Sequence, residues 1–356
     1  MKTPAGGTDA RHRRPRSVLR AWLPVVLCCA TFASEACFRR STLPPGLTNQ
    51  ELWRLIESLS EPAGAFTVSD NVVSNEPNFA EAVRRLRPSG GVYIGVGPEQ
   101  NFSYIVGLRP DMAFIIDIRR ENLALHLLYK ALFEVSTDRV DFVSRLFSRP
   151  RPEGLDSSAD VDEIFEVFDR VQPSEQELSR NSSLVRERLL TGRGLPLPQS
   201  DLEWIDHAFR TFYSNGPNIN YYGARSVEAV RPSYRQLMTA RDINGRSRSF
   251  LGTEEGFRFV KELHSKNLIV PVVGDFGGPH AIRRVGDYVR THKDRVHALY
   301  GSNVGVYLSS QQTRAFCRNL AALPIAARAW FIDSRGVQPL DAKLKACFPE
   351  PRPAPQ

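Results

Sequence analysis

The sequence predicts an α/β fold, with a mostly parallel sheet flanked by helices and a helical insertion after the second strand. Three observations carry this. The stretch Gly90–Asn122 (GGVYIGVGPEQNFSYIVGLRPDMAFIIDIRREN) reads as strand, glycine turn, helix, strand and terminal acid. After Thr253, short apolar runs again alternate with amphipathic helices. Between these two regions the chain is polar, interrupted and helical in pattern, without strand periodicity.

Within the first stretch, Val92-Tyr93-Ile94 is β-rich and ends at Gly95-Val96-Gly97. Glycines at that point permit a tight turn and close approach of a ligand to the backbone. Asn101–Leu108 reads as a helix with Phe102, Ile105 and Val106 on one side, and its N-terminus offers N–H groups to an anion or a hydroxyl-rich ligand. Met112–Ile118 is almost continuously apolar, as a strand covered on both faces should be. Asp117 lies about 20 residues beyond the glycines, the spacing at which doubly wound folds bring a carboxylate to a ribose. The competing expectation is a plain βαβ unit in which Asp117 only caps the next helix.

The second α/β region supplies three more strands. Asn267–Gly274 (NLIVPVVG) ends in Asp275-Phe276-Gly277-Gly278-Pro279. Arg295–Tyr300 (RVHALY) ends in Gly301-Ser302-Asn303-Val304, and Ala329–Ile332 (AWFI) is a last strand. Helices are expected over Thr253–His264, from Pro279 through Val289, and over Gln312–Leu323. Ligands of open parallel sheets bind outside the carboxyl ends of the strands. Gly95/Gly97, Asp117, Gly274-Asp275 and Ser302-Asn303 are therefore expected to meet at one crevice of a Rossmann-like sheet.

The remaining segments fill in around that frame. Ser41–Leu47 is a linker, and Thr48-Asn49-Gln50-Glu51 is a capping box opening a helix with Leu52, Leu55, Ile56 and Leu59 on one face. Asn78–Leu86 is a short amphipathic helix. Asn122–Val135 is a strong one, with His126 expected on its solvent edge. The insertion, about 148–250, carries helical segments at Glu163–Val171, Leu178–Leu190 and Asp201–Tyr213 and reads as an insertion or lid. It closes on a loop, Asn215–Gly223, whose Tyr221 and Tyr222 are substrate-side candidates. The main domain is expected over 48–340, with a loose, proline-rich tail over 341–356.

Charge and cysteine usage bear on location. The formal net charge is +8, of which residues 1–36 contribute +4: Lys2, Arg11, Arg13, Arg14, Arg16 and Arg20 against Asp9 and Glu35. The basic balance thus owes much to this leader, and no nucleic-acid partner is indicated. An apolar core of 13 residues, Ala21–Ala33, follows the basic part; that suits a signal peptide rather than a membrane span. Cys37 stands directly after Ser34-Glu35-Ala36, where a lipid anchor can attach. An exported protein, in the periplasm or envelope, is the expectation; a cytoplasmic one follows if the leader is not a signal. Cys317 and Cys347 are then either a disulfide or two free thiols.

Several chemistries find no motif. H-E-x-x-H, G-x-S-x-G, G-x-x-x-x-G-K-[ST] and C-x-x-C are absent, and no metal site is expected. The G-x-G lacks a third glycine at the dinucleotide spacing, which weakens a dehydrogenase. His280, just after Gly277-Gly278, is the better-placed histidine for a base.

The strand ends together resemble a class I S-adenosylmethionine-dependent methyltransferase domain. The resemblance implies that Gly95 and Gly97, with Glu99 and Asn101 beside them, lie along the methionine part. It further implies that Asp117 holds the ribose, Asp275 lies near the adenine, and Ser302 and Asn303 face the substrate. The stretches GVGPEQNF, FIIDIRREN, SFLGTEEGF, NLIVPVVGDFGGP, SNVGVYL and NLAALP are also similar to an uncharacterised bacterial family built on this domain, over roughly Asn78–Asp333. Three departures stand out. Glu99 occupies the place of a third glycine, Tyr93 stands where an acid is usual, and no Asn-Pro-Pro-Tyr-like loop follows the fourth strand. The implied activity is methyl transfer with the acceptor unspecified; the alternative is a non-catalytic exported envelope protein or lipoprotein on the same scaffold.

Overall fold

Apolar continuity decides which segments form the sheet. In a computed structural model of the chain, which describes residues 41–66, 72–221 and 231–348, strands β1 (Val92–Gly95), β2 (Met112–Asp117) and β3 (Ile269–Val273) are buried along their whole length. Such strands need cover on both faces, and helices provide it. With β4 (Val296–Ser302), β5 (Ile325–Asp333) and β6 (Gly336–Pro339) they form one sheet in the order β3-β2-β1-β4-β5-β6. All neighbouring pairs are parallel except β5–β6. The chain therefore reverses its direction of build between β1 and β4, which is the switch point of a Rossmann-like fold. The register sets Asp117 opposite Val273, so the ends of β2 and β3 are level.

The helices follow their local signals. Thr48 and Glu51 exchange hydrogen bonds of 2.7 and 3.2 Å and cap α1 (Asn49–Leu59) as a capping box. Helix α2 (Phe79–Arg85) precedes β1, and α3 (Gln100–Leu108) joins β1 to β2. Helix α4 (Arg120–Val135) lies against β2 and β3 and is enclosed on its other sides as well. The amphipathic expectation for this helix was too simple. His126 is not on a solvent edge but 1% exposed, because α8 (Gln199–Asn215) and α10 (Glu254–Ser265) cover the outer side of α4. The same cover buries Lys130, which is held by Glu134 at 2.9 Å and by the carbonyl of His264.

The insertion lies between β2 and β3 and is helical: α5 (Arg139–Leu146), α6 (Val161–Arg170), α7 (Glu175–Glu187), α8 and α9 (Tyr234–Thr239). It begins before residue 148, since α5 already packs outside α4. Its main task is to bury α4: Arg120 of α4 forms a bidentate pair with Asp201 of α8 at 2.7 and 2.8 Å. Aromatic rings of Tyr129, Phe142, Phe147, Phe212 and Tyr234 stack and meet edge-on between these helices.

The C-terminal end departs from expectation. Helix α11 (Ala281–Thr291) precedes β4, and α12 (Ser310–Ala321) precedes β5. β5 then turns back at Asp333, whose carboxylate accepts the Arg335 N–H at 2.9 Å, into the antiparallel β6. The segment from 341 is not loose as far as 347: α13 (Leu340–Cys347) buries Leu340 completely and is bonded to α12 by the disulfide Cys317–Cys347. The leader, Cys37, Tyr222 and the residues past 348 lie outside the described residues. No helix among the described residues is long and apolar enough to cross a membrane.

The disulfide closes a 30-residue loop, which restricts the unfolded chain by about 3.6 kcal/mol in the chain-entropy model. Reduction, or Cys347→Ser, should lower the thermal midpoint, and hydrogen exchange should rise first in α13. Unchanged exchange there after reduction would show that apolar packing alone holds this helix.

Candidate functional site

A cavity of about 300 Å³ opens at the carboxyl ends of β1, β2, β3 and β4. Gly97, Asp117, Asp275, Ser302, Asn303 and Tyr221 line it together, although they span the chain from β1 to the loop after β4. This is the convergence expected from the strand ends. Gly95, Glu99, Asn101 and His280 are not part of the wall.

The loop after β1 explains three of these four. Asn101, on the first turn of α3, donates through Nδ2 to the carbonyls of Val96, Gly97 and Pro98 at 2.9, 3.0 and 2.7 Å. Its Oδ1 accepts the Tyr93 hydroxyl at 2.8 Å. The amide orientation follows from this network. Asn101 thus ties the loop from behind and offers nothing to a ligand. Gly95 serves the same packing: a Cβ there would stand 1.9 Å from Asn101 Oδ1 and 2.7 Å from the Tyr93 oxygen. Gly97 differs. Its φ is +77°, and nothing lies within 4 Å of the place a Cβ would take. Only at Gly97 does the glycine leave backbone open to the cavity.

Glu99 is fully buried at the start of α3, where the helix dipole favours an anion. Its carboxylate accepts the Ser74 N–H at 3.1 and 3.2 Å. The helix N-terminus expected to receive a ligand's anion therefore holds the chain's own. Burial pushes the Glu99 carboxyl up to about 7. Behind the loop, His126 Nε2 lies 2.9 Å from the Gly97 carbonyl and must donate to it. Burial pushes this imidazole down to about 4, so it is neutral and fixed as the Nε2–H tautomer.

The two acids of the cavity hold turns and line the wall at once. Asp117 Oδ1 accepts the Arg119 N–H at 2.9 Å and Arg119 Nε at 3.3 Å. Asp117 Oδ2 has no donor among the described residues. Asp275 Oδ1 accepts the Gly277 N–H at 2.8 Å, and Oδ2 accepts Gln312 Nε2 at 3.3 Å. Gly274 donates its N–H to the Asp117 carbonyl at 2.8 Å, which fixes the two strand ends side by side.

The far wall comes from β4 and from an upstream segment that the sequence left unread. Tyr300 and Ser302 line the cavity together with Val73, Ser74 and Asn75. The Ser302 hydroxyl donates to Glu76 Oε1. Glu76 is 7% exposed, and burial raises its carboxyl above the usual range. No motif marks residues 72–76; polar side chains just before a helix are common in any loop. At the mouth, Phe66 meets Tyr307 edge-on at 5.0 Å, and Asn303 Nδ2 donates to the Tyr307 hydroxyl at 3.4 Å. Tyr221 contributes its ring beside Arg231 at 5.1 Å. His280 is exposed just before α11, its backbone N–H donates to Glu61 at 2.7 Å, and it does not line the cavity. No group of metal-ligating side chains occurs among the described residues.

Residues 71–157 and 200–346 match the model of a family described as a domain of unknown function, DUF7790. The chain belongs to this family. The match covers the whole sheet and every described wall residue from Val73 onward, and it skips 158–199, where α6 and α7 lie. No curated protein matches the chain.

Glu99 and His126 titrate in opposite senses on folding. The Glu99 carboxyl is raised to about 7 in the folded chain, so its contribution to stability is present below about 4.5 and is lost as pH rises through 7. That loss is about 3 kcal/mol. His126, depressed to about 4, loses its contribution as pH falls from 6.5 through 4. Glu99→Gln should therefore gain on the wild type in urea unfolding between pH 5 and pH 8. A difference between the two proteins that does not change with pH would show that Glu99 is not held as described.

Proposed function

We propose that the cavity binds S-adenosylmethionine or a related nucleoside, and that the chain is methyltransferase-like. The observation that carries this is the pair Asp117, at the end of β2, and Asp275, two residues past the end of neighbouring β3, which line one cavity beside the open Gly97. Asp117 Oδ2 can accept a ribose hydroxyl, as acids at this strand end do in doubly wound folds. Asp275 can accept an exocyclic amine, and Val96, Ile118 and Phe276 give apolar faces for a base. The volume is at the lower end for a cofactor of this size.

The fit is better for the nucleoside than for an amino-acid tail. Gly97 leaves room, whereas Asn101 and Tyr93 fill the space above Gly95, and Glu99 takes the helix start. When bound, S-adenosylmethionine would supply an activated methyl group. The chain's own residues would orient it: Asp117 and Asp275 by accepting hydrogen bonds, Ser302 and Asn303 from the opposite wall.

A second reading has one specific observation behind it. The Cys317–Cys347 disulfide suits an oxidising compartment, in keeping with the basic and apolar leader. On this reading the chain is a non-catalytic exported envelope protein that binds a nucleoside or nothing. Cell fractionation with mass spectrometry of the N-terminus separates the two. A cytoplasmic protein with Met1 retained rejects export.

Calorimetry tests the first reading. S-adenosylmethionine, its demethylated product and adenosine should each bind, and Asp117→Ala should weaken all three by about tenfold or more, the value of a hydrogen bond to a charged acceptor. Absence of heat with all three ligands, or equal affinity in the variant, rejects the nucleoside site.

A further inference from the structure

The wall formed by β4 has a feature that the nucleoside does not use. Ser302 ends the strand with φ of +46°, a left-handed conformation that costs a non-glycine residue on the order of 1 kcal/mol. Strain of this kind persists where surrounding contacts hold it. Here the main contact is with Glu76: the Ser302 hydroxyl faces two acceptors, Glu76 Oε1 and, at 3.4 Å, Asn303 Oδ1, and has one proton to give them. The other carboxylate oxygen accepts Gln100 Nε2 at 3.4 Å, and that same nitrogen donates to the Tyr104 hydroxyl at 2.9 Å. An amide nitrogen only donates, so with the Gln100 amide in this orientation Glu76 Oε2 is the acceptor.

A serine whose proton is spent can present only lone pairs to a ligand. Ser302 lines the cavity, while Glu76 lies outside the wall. Beside Ser302 the surface turns apolar and aromatic, with Val304, Leu308, Tyr307 and Phe66. Across the cavity stand Asp117 and Asp275, whose charge favours a cation over an anion. Aromatic rings at the mouth accept a cation as well.

We propose that Glu76 is a positioning residue that makes Ser302 an obligate hydrogen-bond acceptor, so that the β4 end of the cavity selects a ligand bearing an N–H group on an apolar stem, a primary amine above all. The inference rests on the cavity being a ligand site, and within the methyltransferase-like reading it names the class of the second substrate. It does not depend on what fills the half beside Asp117 and Asp275.

The test compares benzylamine with benzyl methyl ether, which has the same ring and no N–H, by titration into the full chain at constant ionic strength. Wild type should prefer the amine by about tenfold or more. Ser302→Ala keeps every charge in the cavity, yet it should lose most of that preference. Glu76→Gln should lose it too, since a carboxamide can donate to Ser302 and release the serine proton toward the ligand. A preference unchanged in Ser302→Ala would mean that charge alone attracts the amine and would overturn the proposal, as would equal binding of both probes by wild type. Adenosine titrated into the same samples separates the two readings. An amine preference without adenosine binding supports the present inference and rejects the nucleoside site; adenosine binding with no amine preference does the reverse.

Discussion

The Asn101 carboxamide is the contact on which the cavity depends. It shares its two N–H protons among three consecutive carbonyls of the loop after β1 and takes the Tyr93 hydroxyl at the same time. Buried backbone carbonyls without donors are costly, so a loop that turns its carbonyls inward must be given donors from inside. Asn101 gives them from the first turn of the helix that the loop leads into. Gly97 can then point its open side outward, with φ at +77°. His126 secures the Gly97 carbonyl from the other direction, which is why a neutral imidazole is tolerated inside a helix otherwise lined by leucines. The glycine that opens to the cavity is thus held by residues outside its wall.

Electrostatics divides the same region into an inner and an outer layer. Glu99, Glu76 and His126 are buried and carry shifted proton affinities; Asp117 and Asp275 face the cavity and hold turns. Perturbed groups often mark functional sites, and here Tyr300, pushed well above its usual range by burial, is itself part of the wall, whereas Glu76, Glu99 and His126 sit behind it. Burial alone explains them, since desolvation is the leading cause for all three.

The strands and the residues that end them were legible in the sequence, because apolar runs and breakers are short-range signals, and the meeting of the strand-end loops followed from the fold class. Apolar runs gave β1, β2 and β3, and the residues that end them gave Gly97, Asp117, Asp275 and Ser302. What could not be read was contact across the chain. Asn101 and Glu99 stand at helix-start positions where a ligand contact and an internal contact have the same pattern, and only coordinates show which partner is nearer. His126 lies among residues that an amphipathic stripe would leave outside, and it is buried by helices 70 or more residues later. β6 and α13 were missed because a four-residue strand after a tight turn and an eight-residue helix with one fully buried leucine carry almost no periodic signal.

The segment before the sheet changes where the functional unit begins. Residues 72–76 run from Val72 to Glu76 ahead of α2, and they supply Val73, Ser74 and Asn75 to the wall, Ser74 to Glu99 and Glu76 to Ser302. Further back, Glu61 accepts the N–H groups that open α11, and Leu47 donates to the Lys266 carbonyl at 2.9 Å. A Rossmann-like core would need none of these residues to form its sheet. Glu61 and residues 72–76 are placed instead where a core of this kind is open, along the carboxyl ends of β1, β3 and β4, whereas Leu47 meets the turn before the amino end of β3. Enclosure on that side strengthens every polar contact inside by excluding water. It also couples the walls, since Ser74 and Glu76, two residues apart, reach the loop after β1 and the end of β4. One short segment thus braces both the loop after β1 and the end of β4.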